Sequence, residues 1–340
     1  MTIAHTTASA LHVAPDLAPD QALVAVEAEA AVVAALAEMA EEARAYASQA
    51  KSPSTQRAYR SDWADFAAWC RDHQLAALPA TPATVALYLT DRAKTCKTAT
   101  LARRVAAISQ AHQAADHPSP TKAQTVRQVV AGIRRAKGTK QEGKAPAVTD
   151  EMRLMVAALP PTLLGARDRA LLLLGFAGAF RRSELVALDV GDVRRTRDGL
   201  IVTIRKGKTD QEGAGRTVGI PYGGYPQSCP VRALQDWLEA AGIVEGPLFR
   251  GLKNDGALLG RLSDKGVARV VQRRAAAVGL DPTRYAGHSL RAGLATAAAA
   301  AGKSERAIMA QTGHKSIPMV RRYIREGDLF RENAAANLGL

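Results

Sequence analysis

Near the C-terminus of this 340-residue chain, His288-Ser289-Leu290-Arg291 is followed by Gly313-His314 and by the tyrosine of Arg321-Arg322-Tyr323. These residue types suit attack on a phosphodiester. Phosphorus passing through five-coordination gathers negative charge on its non-bridging oxygens, and a guanidinium meets that charge with a planar fork of donors. Each well-placed donor is worth about 3 kcal/mol of barrier height. Tyr323 supplies an oxygen nucleophile. A phenol ordinarily ionises near pH 10, so forming phenolate at neutral pH costs about 4 kcal/mol unless cations or a base assist. Lys315, Arg321, Arg322 and Arg325 supply cations around it. On a helix His288 and Arg291, three apart, share a face and can address one phosphate. Taken singly, each pattern also fits a buried histidine, a surface arginine or a packing tyrosine.

The elements that position these residues are read from composition and periodicity. Hydrophobic residues make up 47% of the chain and aromatics only 4%, so the cores are built from Ala, Leu and Val, which favours helices. The net charge is +14 and the isoelectric point about 10. Residues 1–50 hold seven acids against the single base Arg44, which leaves the remainder with +20. A body that basic attracts a polyanion, nucleic acid being the commonest, although a merely soluble basic protein has the same balance. Cys70, Cys96 and Cys229 are widely spaced and form no CxxC pair, as expected of a reducing cytoplasm without disulfides or structural zinc. Glu27, Glu29 and Glu38 interrupt the apolar stretch Ala22–Ala40, so no membrane partner or signal peptide is expected.

Residues 1–50 read as an acidic, Ala-rich tail or an accessory helix. A helical DNA-binding unit is expected at 51–137. Tyr59, Trp63, Phe66 and Cys70 make a stripe at spacings of four, three and four, and Thr81-Pro82 caps a helix at Ala83–Arg92. Two further helices, about Thr98–Ala114 and Lys122–Ala136, carry Arg103, Arg104, Arg127, Arg134 and Arg135 with few acids to balance them. They suit DNA phosphates, and would look the same as a solvated face. Residues 138–149 lack apolar periodicity and read as a linker. Beyond them Asp150 is expected to cap a helix, Ala170–Phe180 is a buried apolar segment, and Ser183–Leu188 continues in helical spacing. After the Asp198-Gly199 turn, Leu200–Arg205 and Thr217–Ile220 form a hairpin with the polar tip Lys206–Arg216, and helices dominate from Pro230 onward.

Five short patterns therefore stand in one order: Gly178-Ala179-Phe180-Arg181-Arg182-Ser183-Glu184-Leu185, Gly207-Lys208-Thr209, His288-x-x-Arg291, Gly313-His314 and Tyr323. In order and spacing the set resembles the tyrosine recombinases of the phage integrase family over about residues 52–335. The stretch after Arg291 and the tail Tyr323-Ile324-Arg325 look most similar to the Cre-like branch. The resemblance implies a mainly α protein with a small β-hairpin or sheet. Its parts would be a helical core-binding domain and, over 150–340, a catalytic domain with a C-terminal docking segment, Leu329–Leu340.

It further implies that Arg181 and Arg291 clamp the scissile phosphate while Tyr323 attacks. His288 helps remove the phenolic proton, Lys208 protonates the departing 5′ oxygen, His314 hydrogen-bonds the phosphate, and Glu184 orients the set. Arg182 competes with Arg181 by a one-residue slip, and Lys206 competes with Lys208. The implied reaction is site-specific cleavage and rejoining of double-stranded DNA through a 3′-phosphotyrosyl link, by a homotetramer on two sites, with no metal and no cofactor. A type IB topoisomerase or a telomere resolvase shares this chemistry, and a catalytically silent DNA-binding regulator would share only the basic face.

Overall fold

The computed structural model describes residues 32–46, 50–139, 143–205, 207, 215–253, 255–314, 316–318, 320, 321 and 323. The chain divides into two compact units, Met1–Gln141 and Glu142–Leu340. Both are mainly helical, and among the described residues the small sheets lie in the second. Among the described residues no helix is long and apolar enough to cross a membrane.

In the first unit residues 32–46 form an exposed helix, α1. Four helices follow: α2 (Pro53–Asp72), α3 (Pro82–Ala93), α4 (Thr98–Ala114) and α5 (Gln124–Lys137). The Ser52 and Thr81 hydroxyls accept the Thr55 and Thr84 N–H groups, each ahead of a proline at the first helical position. Phe66, Trp69 and Cys70 of α2 meet Val85, Tyr88 and Leu89 of α3, Leu101 and Ile108 of α4 and Val126 of α5 in one core. His112 is wholly buried there. Its Nδ1–H donates to Ile108 O and its Nε2 accepts the Ala80 N–H at 2.9 Å, a satisfied structural histidine.

The scarcity of acids along α4 and α5 does not leave all their arginines unbalanced, because α2 supplies the carboxylates. Arg103 forks onto Asp62 at 2.7 and 3.0 Å, and Arg104 holds Asp65 at 2.7 Å and Tyr88 Oη at 2.8 Å. Asp65 also takes Arg92 Nε, and these partners outweigh its desolvation to hold its carboxyl below the usual range. Sequence spacing cannot show such pairs, which join residues about forty apart. Arg134 and Arg135 on α5 are exposed and make no ion pair among the described residues.

The second unit begins earlier than the expected linker ends. Ala145 and Ala147 donate to Arg284 O and Ser289 O, and Ala147 is fully buried. Gly293 permits this approach, since a β carbon there would lie 1.9 Å from Ala147 O. Then come α6 (Thr149–Ala157), α7 (Leu163–Ala177) and α8 (Arg182–Ala187). Asp150 sits inside the first turn of α6 rather than at its cap. Val148 holds that position, and Glu151 reaches back to its N–H. An antiparallel sheet of β1 (Val193–Thr196), β2 (Gly199–Ile204) and β3 (Arg216–Pro221) precedes α9 (Pro230–Ala241). β1 carries two arginines at its centre and no apolar alternation, so only the β2–β3 hairpin was readable from sequence. A second ribbon, β4 (Arg250–Leu252) with β5 (Leu258–Arg261), interrupts the helices that dominate from Pro230 onward; strands of three and four residues are too short to show a period. Last come α10 (Asp264–Ala277), α11 (Gly287–Ala300) and α12 (Glu305–Thr312), and residues 317, 318, 320, 321 and 323 are again helical.

The core of this unit surrounds α7, whose Leu171, Leu172, Leu173 and Leu174 are all buried. A buried carboxylate fixes α7 to α10. Asp168, with no exposed surface, accepts from Arg167 on one oxygen and from Arg273 and Arg274, both at 2.8 Å, on the other. Breaking a buried pair strands the remaining charges. Asp168→Ala should therefore cost about 3–5 kcal/mol of unfolding free energy, read from denaturant midpoints of the full chain, with Arg273→Ala costing much less because that arginine is half exposed.

Candidate active site

Helix α7 stops where the apolar run continues, and that break aims the first arginine. Ala179 adopts a left-handed backbone, φ 48°, uncommon for a residue with a β carbon. The chain reverses there, and Arg181 becomes the N-cap of α8. Glu184, buried in the first turn of α8, accepts the Arg181 N–H on Oε2 at 3.0 Å and its Nη1 on Oε1 at 2.5 Å. Burial pushes the Glu184 carboxyl up, but these bonds and the charges of Arg181 and Arg216 outweigh it and keep it anionic. Arg182 turns away: its methylenes lie over Gly287 and its guanidinium is 3.9 Å from Asp264.

Arg291 lies at the start of α11, 1% exposed, beside this group. Its Nη1 donates to Ala179 O at 2.8 Å, so the left-handed turn that starts Arg181 on its course also anchors the second arginine. Its Nη2 is buried and finds no hydrogen-bond partner among the described residues. A buried cationic donor left without an acceptor is costly, and an anionic oxygen is the group that satisfies it. Burial, with the charge of Arg181 next, lowers the Arg291 pKa to about 10, so it remains a cation at neutral pH.

Gly313, left-handed at φ 64°, ends α12 and presents His314, 8% exposed. The Thr312 hydroxyl donates to Ile308 O and lies 2.7 Å from His314 Nδ1, so Nδ1–H is the donor and Nε2 carries the free lone pair. Burial, then the charges of Arg291 and Arg181, depress His314 to about 4. Across from it Tyr323 Oη lies 2.9 Å from His288 Nε2, and the tyrosine ring is 5.9 Å from that of His314. Exposed His288 and buried Arg291 share one turn of α11 at different depths.

The structure thus brings Arg181, Glu184, His288, Arg291, His314 and Tyr323 together. Lys208 and its competitor Lys206 lie outside the described residues, and Arg103, Arg104, Arg134 and Arg135 belong to the first unit. Sequence reasoning missed Arg216, which it counted with the polar tip. Arg216 is the first residue of β3, with Nη2 3.4 Å from Glu184 Oε2. It also missed Gln311, whose Nε2 donates to Ala177 O and Gly219 O and ties α12 to α7 and β3. The adjacency of Gly215-Arg216 to a β-branched run was the available signal for Arg216; nothing local marks Gln311.

Residues 147–328 match the model of the phage integrase family, and residues 44–117 match that of the phage integrase N-terminal SAM-like domain. The chain belongs to the phage integrase family. It is 44% identical over 278 residues to an integrase/recombinase xerD homolog of Selenomonas ruminantium, covering 80% of this chain and 82% of that protein. Tyrosine recombinase XerC of Corynebacterium efficiens is 34% identical over 160 residues, 46% of either chain. Among solved structures, the XerH site-specific recombinase bound to palindromic difH substrate shares the integrase fold at TM-score 0.57 and 17% identity, over 73% of this chain and 70% of that one. A lambda integrase dimer bound to a COC′ core site does so at TM-score 0.57 and 18% identity, over 87% and 77%.

The depressed pKa of His314 has a measurable sign. Its folded value, about 4, lies below the ordinary 6.5, so as pH falls the unfolded chain binds the proton first. Stability tied to neutral His314 is complete above about pH 6.5 and is lost on the way down to about pH 4, by up to about 3 kcal/mol. Subtracting the urea-unfolding profile of His314→Asn from that of the wild type should isolate this slope. Parallel profiles would refute it.

Proposed function

We propose that this chain is a site-specific DNA recombinase that cleaves and rejoins strands through a 3′-phosphotyrosyl intermediate. The observation that carries the reading is the Tyr323 hydroxyl 2.9 Å from His288 Nε2, beside Arg291 with its buried, unpartnered Nη2. Tyr323 Oη attacks phosphorus as its proton passes to His288. The bond to the 5′ oxygen breaks, and that oxygen takes a proton, a role we assign to Lys208. Arg181 and Arg291 hold the non-bridging oxygens throughout. Neutral His314 offers phosphate only a lone pair at Nε2, so the anion must itself raise the depressed pKa and let the ring take up a proton before it can donate. A 5′ hydroxyl of the partner strand then attacks the phosphotyrosine, the phenol recovers its proton, and bond energy is conserved without a cofactor.

The division of labour is part of the same reading: residues 51–137 as the helical DNA-binding domain, 138–149 as its connection, and 150–340 as the catalytic domain. Arg134 and Arg135 suit phosphate contacts because their donors are uncommitted among the described residues. The donors of Arg103 and Arg104 are largely committed to Asp62 and Asp65. Double-stranded DNA as partner, a homotetramer on two sites, docking of Leu329–Leu340 on a neighbour, a cytoplasmic setting and a Cre-like lineage complete the proposal. Residues 1–50 serve it as an acidic accessory segment.

Covalent complexes recovered from the host under denaturing conditions, and sequenced, should return one recurring DNA site linked to Tyr323. Tyr323→Phe should bind a duplex of that sequence yet form no adduct. An adduct from Tyr323→Phe that survives a denaturing gel would refute the assignment. Relaxation of supercoiled DNA lacking any recurring site would favour a topoisomerase instead.

A further inference from the structure

A third guanidinium joins the two assigned to the phosphate. The Arg216 side chain is 24% exposed and enters the cluster from the first position of β3. Its Nη2 meets Glu184 Oε2 at 3.4 Å, and its Nη1 donates to Gln311 O at 3.1 Å. Gly313 closes over it: a β carbon there would lie 2.9 Å from Nε and 3.0 Å from Cζ. One side chain therefore touches α8, the end of α12 and the turn that presents His314.

We propose that Arg216 is a positioning residue for strand cleavage, holding Glu184 and the Gly313-His314 turn in the arrangement that lets Arg181, Arg291 and His314 address one phosphate. The inference rests on the recombinase reading of the site. Both terminal nitrogens of Arg216 are committed to protein acceptors, so it acts through its neighbours rather than on the phosphate. Glu184 is the pivot. Its two oxygens are divided between the Arg181 guanidinium on one side and the Arg181 N–H and Arg216 on the other. Without Arg216, the buried carboxylate keeps Arg181 as its one ion-pair partner among the described residues, Arg291 acting on it only through longer-range charge, and draws the Arg181 guanidinium inward, away from a substrate oxygen. The His314 turn loses its floor at the same moment. Gln311 still ties α12 to Ala177 O and Gly219 O, so the fold should survive the change. Lysine is a poor replacement, because a point charge on a flexible stem cannot span a carboxylate, a carbonyl and a glycine turn as a planar fork does.

The test uses the full chain and a duplex of the sequence recovered from wild-type covalent complexes, nicked so that the 5′-hydroxyl fragment escapes after cleavage. Single-turnover adduct formation, duplex affinity and thermal midpoint are measured for wild type, Arg216→Ala and Arg216→Lys. Arg216→Ala should form adduct about 30- to 100-fold more slowly, with affinity changed by less than about threefold, since one misplaced anion donor has an effect of that order. Added guanidinium ion should recover a large part of the Arg216→Ala rate, and Arg216→Lys should fall between the two. Adduct formation by Arg216→Ala at the wild-type rate overturns the inference and leaves the recombinase reading intact. A slow rate that merely follows lost affinity and a lowered midpoint, and that guanidinium does not improve, overturns it as well. No adduct from the wild type removes the reading and the inference together.

Discussion

Arginines gathered in one place repel each other, and the site of the second unit sets one buried carboxylate against that repulsion. Arg181, Arg216 and Arg291 stand around the single carboxylate of Glu184. The strain of this imbalance is visible in the groups themselves: Arg291 is lowered to about 10 and His314 to about 4, burial acting first and the neighbouring cations adding to it. On the proposed reading, a phosphate would relieve both this excess positive charge and the buried Arg291 donor that has no partner among the described residues. Glu184 keeps that excess from being larger, and its place in the first turn of α8 depends on the left-handed reversal at Ala179.

Much of this was legible in the chain. The capped start of α3, the bounds of α4 and the β2–β3 hairpin follow from Thr81, apolar spacing and the β-branched run after Gly199. The residues that the structure brings together at the candidate site were legible for a different reason: five short patterns in one order carry information that none carries alone. What stayed hidden is what links distant segments. The Asp62–Arg103 and Asp65–Arg104 pairs, the Asp168 anchor and the Arg216 strut all join residues whose separation along the chain has no period. Where α7 ends was hidden too, since Ala179 carries no turn signal and the break comes from backbone conformation at an ordinary alanine.

The helical unit shows how composition misleads when charges are counted along one helix at a time. Arg103 and Arg104 look like a basic face for DNA, yet in the fold they brace α4 against α2, and Arg104 also donates to the Tyr88 hydroxyl. Their removal would disturb the bundle as well as any ligand. Arg134 and Arg135, at the last turn of α5, carry their charge outward, where the helix dipole also favours cations. Net charge locates a polyanion partner for the unit as a whole, but pairing geometry decides which side chains are left to meet it.

The bond between Tyr323 and His288 joins a phenol and an imidazole of one and the same chain. On the proposed reading the roles of nucleophile and base fall to one protomer, so an assembly of several would multiply this pair rather than complete it. Under that reading, whatever orders the cutting of strands would act on pairs already formed, by restraint rather than supply.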